Sequence, residues 1–300
     1  MKSFGAAFPG TCGELFQGAL EGIPCLVSCP IDRMAEVRVS LDPDGEGISI
    51  SPFMGKTRKA MERALAGVFP GRGCISVRRL QGLPEGRGYA SSTADILAAL
   101  HGLYALAGRV LSPEEGTGIA LSVEPTDSIA WPGLALLDHR EGRIMEFLGT
   151  PPPLSVLVLD WGGTVDTEEF NRRDFRGIFR TLEPLHREAF ALVREGVERQ
   201  DPFLVGEGAS LSARGAGELL DRPFLGKCLS LCRELGGYGV CVAHSGTIYG
   251  ILLPEEAALP EGRKELSERA SPALFPGCHA RLHSLVPGGP RTAGAGGGTP

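Results

Sequence analysis

The run Gly149-Thr-Pro-Pro-Pro153, halfway along the chain, limits the fold more than any other feature. Three consecutive prolines offer no backbone N–H and hold φ near −65°, so they suit neither a helix interior nor a central strand. They read as a stiff connector. Residues 1–150 and 151–286 are therefore expected to form two domains, one on each side of it.

Upstream of the connector, short strand-like runs alternate with turns. Ala35 to Leu41 alternates apolar and polar residues, as a half-buried strand does. The turn Asp42-Pro-Asp-Gly45 leads to Gly47–Ser51, which is expected to pair back on it as a hairpin. Lys56 to Val68 has helical spacing, and Ile75 to Leu80 alternates again. Ile96, Leu97, Leu100, Leu103 and Tyr104 mark one buried helical stripe that runs out at Gly108. Ser112-Pro-Glu-Glu115 fits a capping box, and Pro125 should end that helix at Glu124. Two runs, 133–138 and 143–148, flank His139 to Gly142 as a hairpin.

Downstream, a strand at 155–160 precedes helices at 171–199, 202–220 and 223–235. Strands at 240–243 and 248–253, a short helix at 261–269 and a strand at 279–285 complete the order. Apart from the additional helices, this is the ferredoxin-like split βαβ sequence of elements. The tail 287–300, rich in Gly, Pro and Thr, is expected to be disordered.

Composition narrows the function classes. The formal net charge of −6 disfavours a general attraction to nucleic acid or anionic lipid. No apolar run reaches the roughly 18 residues a membrane span needs, and the N-terminus lacks a secretion signal, so a cytoplasmic location is expected. There, the 8 cysteines read as reduced and mostly buried. Neither Cys25/Cys29 nor Cys228/Cys232 extends into the paired array that zinc prefers.

Local anion recognition is a separate matter, and Pro84 to Asp95 has the chemistry for it. Gly86 and Gly88 allow a tight bend, while Ser91, Ser92 and Thr93 stand at the mouth of the next helix. That helix end presents unsatisfied N–H groups and a positive dipole. An ordinary turn with a serine N-cap has the same composition. No Walker-type G-x-x-x-x-G-K-[ST] occurs anywhere.

Pro84-Glu-Gly-Arg-Gly-Tyr-Ala-Ser-Ser-Thr-Ala94 resembles the P-x-x-x-G-L-G-S-S-A-A motif of the GHMP kinases, with Tyr89, Ala90 and Thr93 departing from the usual Leu, Gly and Ala. Pro9-Gly-Thr-Cys-Gly-Glu14 is similar to the family's N-terminal motif, and His244-Ser-Gly-Thr-Ile-Tyr-Gly250 to its C-terminal glycine-rich one. The resemblance implies an α+β, two-domain GHMP kinase fold: a ribosomal protein S5 domain 2-like N-terminal domain and a ferredoxin-like C-terminal domain. It also implies ATP with Mg²⁺ and a small-molecule acceptor, with self-association into a homodimer left open.

The family's residue roles map onto particular positions. Pro84, Gly86, Arg87, Gly88, Ala90, Ser91, Ser92 and Thr93, with Ser245 and Gly246, are assigned to the ATP phosphates. Ser92 and Glu124 become the metal partners, and Asp127 the base or orienting group at the acceptor hydroxyl. Read without the family, Glu124 simply ends a helix and Asp127 caps a turn. The segments 9–18, 90–95, 124–128 and 160–171 are similar to one branch in particular, kinases of free L-threonine serving cobalamin assembly, with L-serine or homoserine kinases and an inactive nucleotide-binding regulator as alternatives. An amino-acid acceptor implies charge-assisted bonds to its ammonium, for which Glu14, Asp32 and Asp166 are candidates. Thr11, Gln17 and Thr93 are candidates for its carboxylate or hydroxyl. His244, at a strand end, is expected to hydrogen-bond phosphate or acceptor, and His101 to be structural.

Overall fold

The structure, a computed structural model, describes residues 2–69, 73–164, 175–219, 221–258, 266 and 277–292. One 11-stranded sheet runs through it, with the main path β10-β7-β9-β8-β1-β2-β4-β3. The upstream strands are β1 (Lys2–Leu20), β2 (Ile23–Asp42), β3 (Gly47–Ile50), β4 (Cys74–Gln81), β5 (Leu134–Leu137) and β6 (Met145–Gly149). Beyond the prolines come β7 (Leu154–Asp160), β8 (Gly239–Val242), β9 (Ile248–Pro254), β10 (His279–Ser284) and β11 (Arg291–Thr292). The helices are α1 (Gly55–Val68), α2 (Ser91–Leu106), α3 (Pro113–Leu121), α4 (Arg176–Arg199), α5 (Pro202–Leu219) and α6 (Leu225–Glu234). No helix among the described residues is long and apolar enough to cross a membrane.

β1 and β2 form the backbone of the molecule, paired antiparallel from Lys2↔Leu41 to Leu20↔Ile23. The sequence pattern did not single out β1, because it is buried on both faces from Ala6 to Ala19 and so does not alternate. Irregularities near Pro9/Gly10 and on both sides of Glu14 interrupt its ladder, and such bulges re-aim side chains. The expected hairpin of β2 with β3 does not form. Instead β4 pairs antiparallel with β2, and β3 lies outside it, parallel to β4. A parallel pair needs a crossover, and α1 supplies it.

Past the connector, β9 lies between β7 and β8 and is antiparallel to both, with β10 on the outer edge of β7. This is the split βαβ arrangement expected from the order of elements. The expected helix at 261–269 falls outside the described residues, residue 266 apart. The tail expectation fails for residues 287–292. Gly288 and Gly289 donate to the carbonyls of Gly133 and Ile129 at 3.1 and 2.8 Å, and β11 pairs with Ala6 and Ala7 of β1. Backbone pairing ties this segment down despite its composition.

The largest apolar core draws on both sides of the connector. Phe8, Phe16 and Val39 share it with Val156, Phe190, Val205 and Leu252. α2 is buried nearly all round rather than along one stripe, because β1, β2, α1 and α3 surround it. The cysteines are free, and all but Cys74 are buried.

Candidate active site

The Pro84–Asp95 loop owes its shape to contacts from both sides. Gly86 and Gly88 have φ of 69° and 101°, a region that glycine enters without steric cost. On one flank the Gly88 carbonyl accepts from Gly13 N and Thr11 Oγ1, at 3.3 and 3.0 Å, and the Tyr89 carbonyl accepts from Thr11 N at 3.1 Å. On the other, the Arg87 carbonyl accepts from Thr247 N and Ile248 N, at 3.0 and 3.3 Å. A Cβ on Gly246 would lie 2.0 Å from that carbonyl oxygen. The N-terminal and C-terminal motifs thus grip the loop between them.

α2 starts at the end of this loop, and its N-cap, Ala90, sits at φ 56° and ψ 30°. That left-handed conformation is costly for any residue with a Cβ. The bend aims the first N–H groups of α2 into a cleft of about 800 Å³. Gly86, Gly88, Ala90, Ser91, Ser92, Thr93 and Ser245 all line it, as do Glu14, Glu124, Asp127 and His244.

Two hydroxyl–carboxylate pairs stand side by side at the helix mouth. Ser92 Oγ donates to Glu124, whose other oxygen meets the Lys56 ammonium. Thr93 Oγ1 donates to Asp127 Oδ2 at 2.8 Å, and the Asp127 N–H returns a bond to Thr93 Oγ1 at 3.3 Å. Helix α3 stops at Leu121, earlier than expected from Pro125, so Glu124 belongs to the turn beyond it. Ser112 caps the start of α3 as foreseen, accepting from Glu115 N at 3.1 Å.

Electrostatics set the protonation states. Burial pushes Asp127 up to about 6, the nearby Glu124 charge adds to the rise, and the Thr93 hydrogen bond opposes it. Burial likewise raises Glu14 well above the usual carboxylate range, helped by the Asp127 charge and countered by Ser28. Asp95, in the first turns of α2, rises to about 6 through burial although Arg79 holds it in an ion pair.

Other expected site residues lie elsewhere. Pro84, Arg87, Gly246, Thr11, Gln17 and Asp32 are absent from the cleft wall. Arg87 and the Tyr89 hydroxyl both bond Asp160, at 3.1 and 3.2 Å. Thr11 and Gly246 shape the loop from behind. Gln17 accepts from His244 Nδ1 at 3.1 Å while donating to the Val242 carbonyl at 3.1 Å, which orients that imidazole toward the cleft. Asp32 pairs with His283 at 2.7 Å, away from the cleft. Asp166 lies outside the described residues. His101 packs at a tilt against Phe8, with ring centroids 5.2 Å apart.

Sequence reasoning missed Phe53, Lys56, Lys59, Arg79 and His139, all of which line the cleft. Lys56 and Lys59 are three apart on α1 and so share a face. That spacing was the one available signal. Nothing local marked His139, which looks like any hairpin residue.

Residues 55–130 match the model for the GHMP kinases N terminal domain. The chain is 33% identical to the L-threonine kinase of Salmonella typhimurium over 288 residues, spanning 95% of this chain and 94% of the relative. It is 32% identical to that of Citrobacter freundii over 251 residues, spanning 83% and 85%. Among solved structures, a homoserine kinase from Cytophaga hutchinsonii superposes with a TM-score of 0.71 at 14% identity, covering 97% of each chain. A third of the residues shared along nearly the full length, on a fold that a homoserine kinase also adopts, means common descent: the chain belongs to the GHMP kinase family.

Proposed function

We propose that this GHMP kinase transfers the terminal phosphate of ATP to the side-chain hydroxyl of L-threonine, making O-phospho-L-threonine for the aminopropanol linker of cobalamin. The observation that carries the reading is the adjacency of the Ser92–Glu124 and Thr93–Asp127 pairs at the N-terminus of α2. One pair suits the phosphate and its metal, the other an alcohol. The choice of threonine rests on the two bacterial L-threonine kinases that the chain resembles.

Ser92 and Glu124 fit Mg²⁺ as oxygen donors, and the Lys56 ammonium at the same carboxylate supplies the kind of charge a cation would bring. Mg²⁺, when bound, neutralises charge on the phosphate oxygens. The N–H groups at the start of α2 receive the phosphates. Asp127, ionised, takes the proton of the acceptor hydroxyl, and Thr93 fixes the carboxylate that does so. The decisive experiment offers ATP with L-threonine, L-serine, L-homoserine, mevalonate or galactose and measures ADP release. L-threonine should give the highest kcat/KM, and no preference for threonine or serine would overturn the substrate assignment.

A further inference from the structure

Two buried polar side chains in the cleft have atoms that nothing in the protein satisfies. Glu14 Oε2 has no hydrogen-bond partner among the described residues, and neither ring nitrogen of His139 has one of good geometry. Each side chain belongs to a residue only 3% exposed, yet both line the cleft. Buried polar groups are nearly always paired, so such atoms in a cavity mark where a ligand completes the bonding.

The fold invests in holding them there. Glu14 sits between two irregularities of β1, at the single pairing of β1 with β8, Glu14↔Val242. His139 follows β5, and its carbonyl accepts from Thr126 N at 3.0 Å, fixing it beside the Asp127 turn. Asp138 anchors that corner by accepting from the backbone N–H groups of Arg140, Glu141 and Arg143 at 3.2 Å. The His139 ring lies edge-on to His244, with centroids 4.8 Å apart.

The chemistry of the missing partner follows from what the two groups lack. Burial, assisted by the Arg140 charge, pushes His139 down to about 3, so its imidazole is neutral with one N–H and one lone pair. The Pro24 carbonyl faces the ring and attracts the N–H, which leaves the lone pair for the ligand. A cation beside it offsets the burial and the Asp127 charge that raise the Glu14 carboxyl, and Oε2 then accepts as well. Two acceptors lining one cleft together with the Asp127 carboxylate call for a cationic group with more than one N–H.

We propose that His139 and Glu14 together form the subsite for the α-ammonium of the acceptor, with His139 as a specificity-determining residue. This rests on the reading of the cleft as a kinase site for a hydroxy-amino acid, and it adds how that acceptor is told apart from a hydroxy acid of the same length.

The test pairs a residue deletion with a deletion on the ligand. L-threonine is compared with 3-hydroxybutyrate, which lacks the ammonium, for the wild-type enzyme and for His139→Leu and His139→Asn. KM or inhibition constants are measured at saturating Mg-ATP, with circular dichroism to check folding. His139→Leu should raise KM for L-threonine at least ~10-fold, leave KM for ATP within about 2-fold, and change the 3-hydroxybutyrate constant by less than about 2-fold. His139→Asn, which keeps an acceptor, should recover part of the loss. Equal weakening of both ligands, or no weakening of L-threonine, would overturn the ammonium site. A wild-type enzyme inactive on L-threonine but active on L-serine or L-homoserine would overturn only the substrate assignment. The same comparison then runs on that amino acid and its deamino analogue. Activity on no amino acid would overturn both.

Discussion

In the mechanism proposed above, Asp127 concentrates the conflict between catalysis and stability in one carboxylate. Buried beside Glu124, it titrates at about 6, above the ordinary Asp value. Turnover should therefore fall as pH drops through about 6, because the proton it gains is the one it must remove from the acceptor. A pH profile of kcat with no acidic limb near 6 would contradict this. Asp127→Asn keeps an oxygen for Thr93 to donate to, and should lower kcat at least ~100-fold while leaving ATP affinity nearly intact. The same variant should be the more stable protein at pH 8. A raised carboxylate binds more protons folded than unfolded between about pH 4 and 6, so its ionisation costs stability as pH rises through that window. Melting at pH 8 should rise by about 2–4 °C, the worth of ~1 kcal/mol in a chain of this size, and the gain should vanish below pH 4.

Among the elements, α2 shows how the candidate site is built on a strained start. Most of its residues are buried, and its N-cap is an alanine in a conformation that glycine occupies freely. Ala90→Gly removes a penalty of ~1–2 kcal/mol and adds back the entropy of a freer unfolded chain. The net expectation is a stabilisation of ~0.5–1 kcal/mol, read from the urea midpoint at unchanged slope. A midpoint that falls would mean that the Ala90 methyl packs better than its backbone angle suggests.

The elements also mark the limit of what the sequence made legible. Helices with a clear period, such as α1, and the capped start of α3 were readable because their signals are local. So was the Pro84–Asp95 loop, whose glycines and hydroxyls lie in one stretch. The position of β4 between β2 and β3 was not, since pairing partners depend on the crossover by α1 rather than on the Asp42–Gly45 turn. Asp32 and Arg87 had the right chemistry for the site, but His283 and Asp160 engage them first. His139 reached the cleft through a β5 corner whose placement only the folded chain reveals.

At the scale of the whole molecule, the prolines at 151–153 separate two sets of elements, and a smaller core around Leu157, Leu231 and Ile251 lies wholly downstream, yet the largest core spans both sides. β1 carries the N-terminal motif, pairs along β2 and touches β8 at Glu14. The Pro84–Asp95 loop is hydrogen-bonded by residues from both sides of the prolines. The one apolar cluster that contains Phe8 and Val39 also contains Val156 and Leu252.

A shared strand and a shared core tie the thermodynamics of the halves together. Exposing β8 and β9 strips partners from β1, and loosening β1 in turn removes its contacts from β2 and the loop. Scanning calorimetry should thus record one endotherm, with van't Hoff and calorimetric enthalpies in agreement, rather than the two that a proline-hinged pair of independent lobes would give. A single endotherm would mean that a chain divided by three prolines still unfolds as one unit.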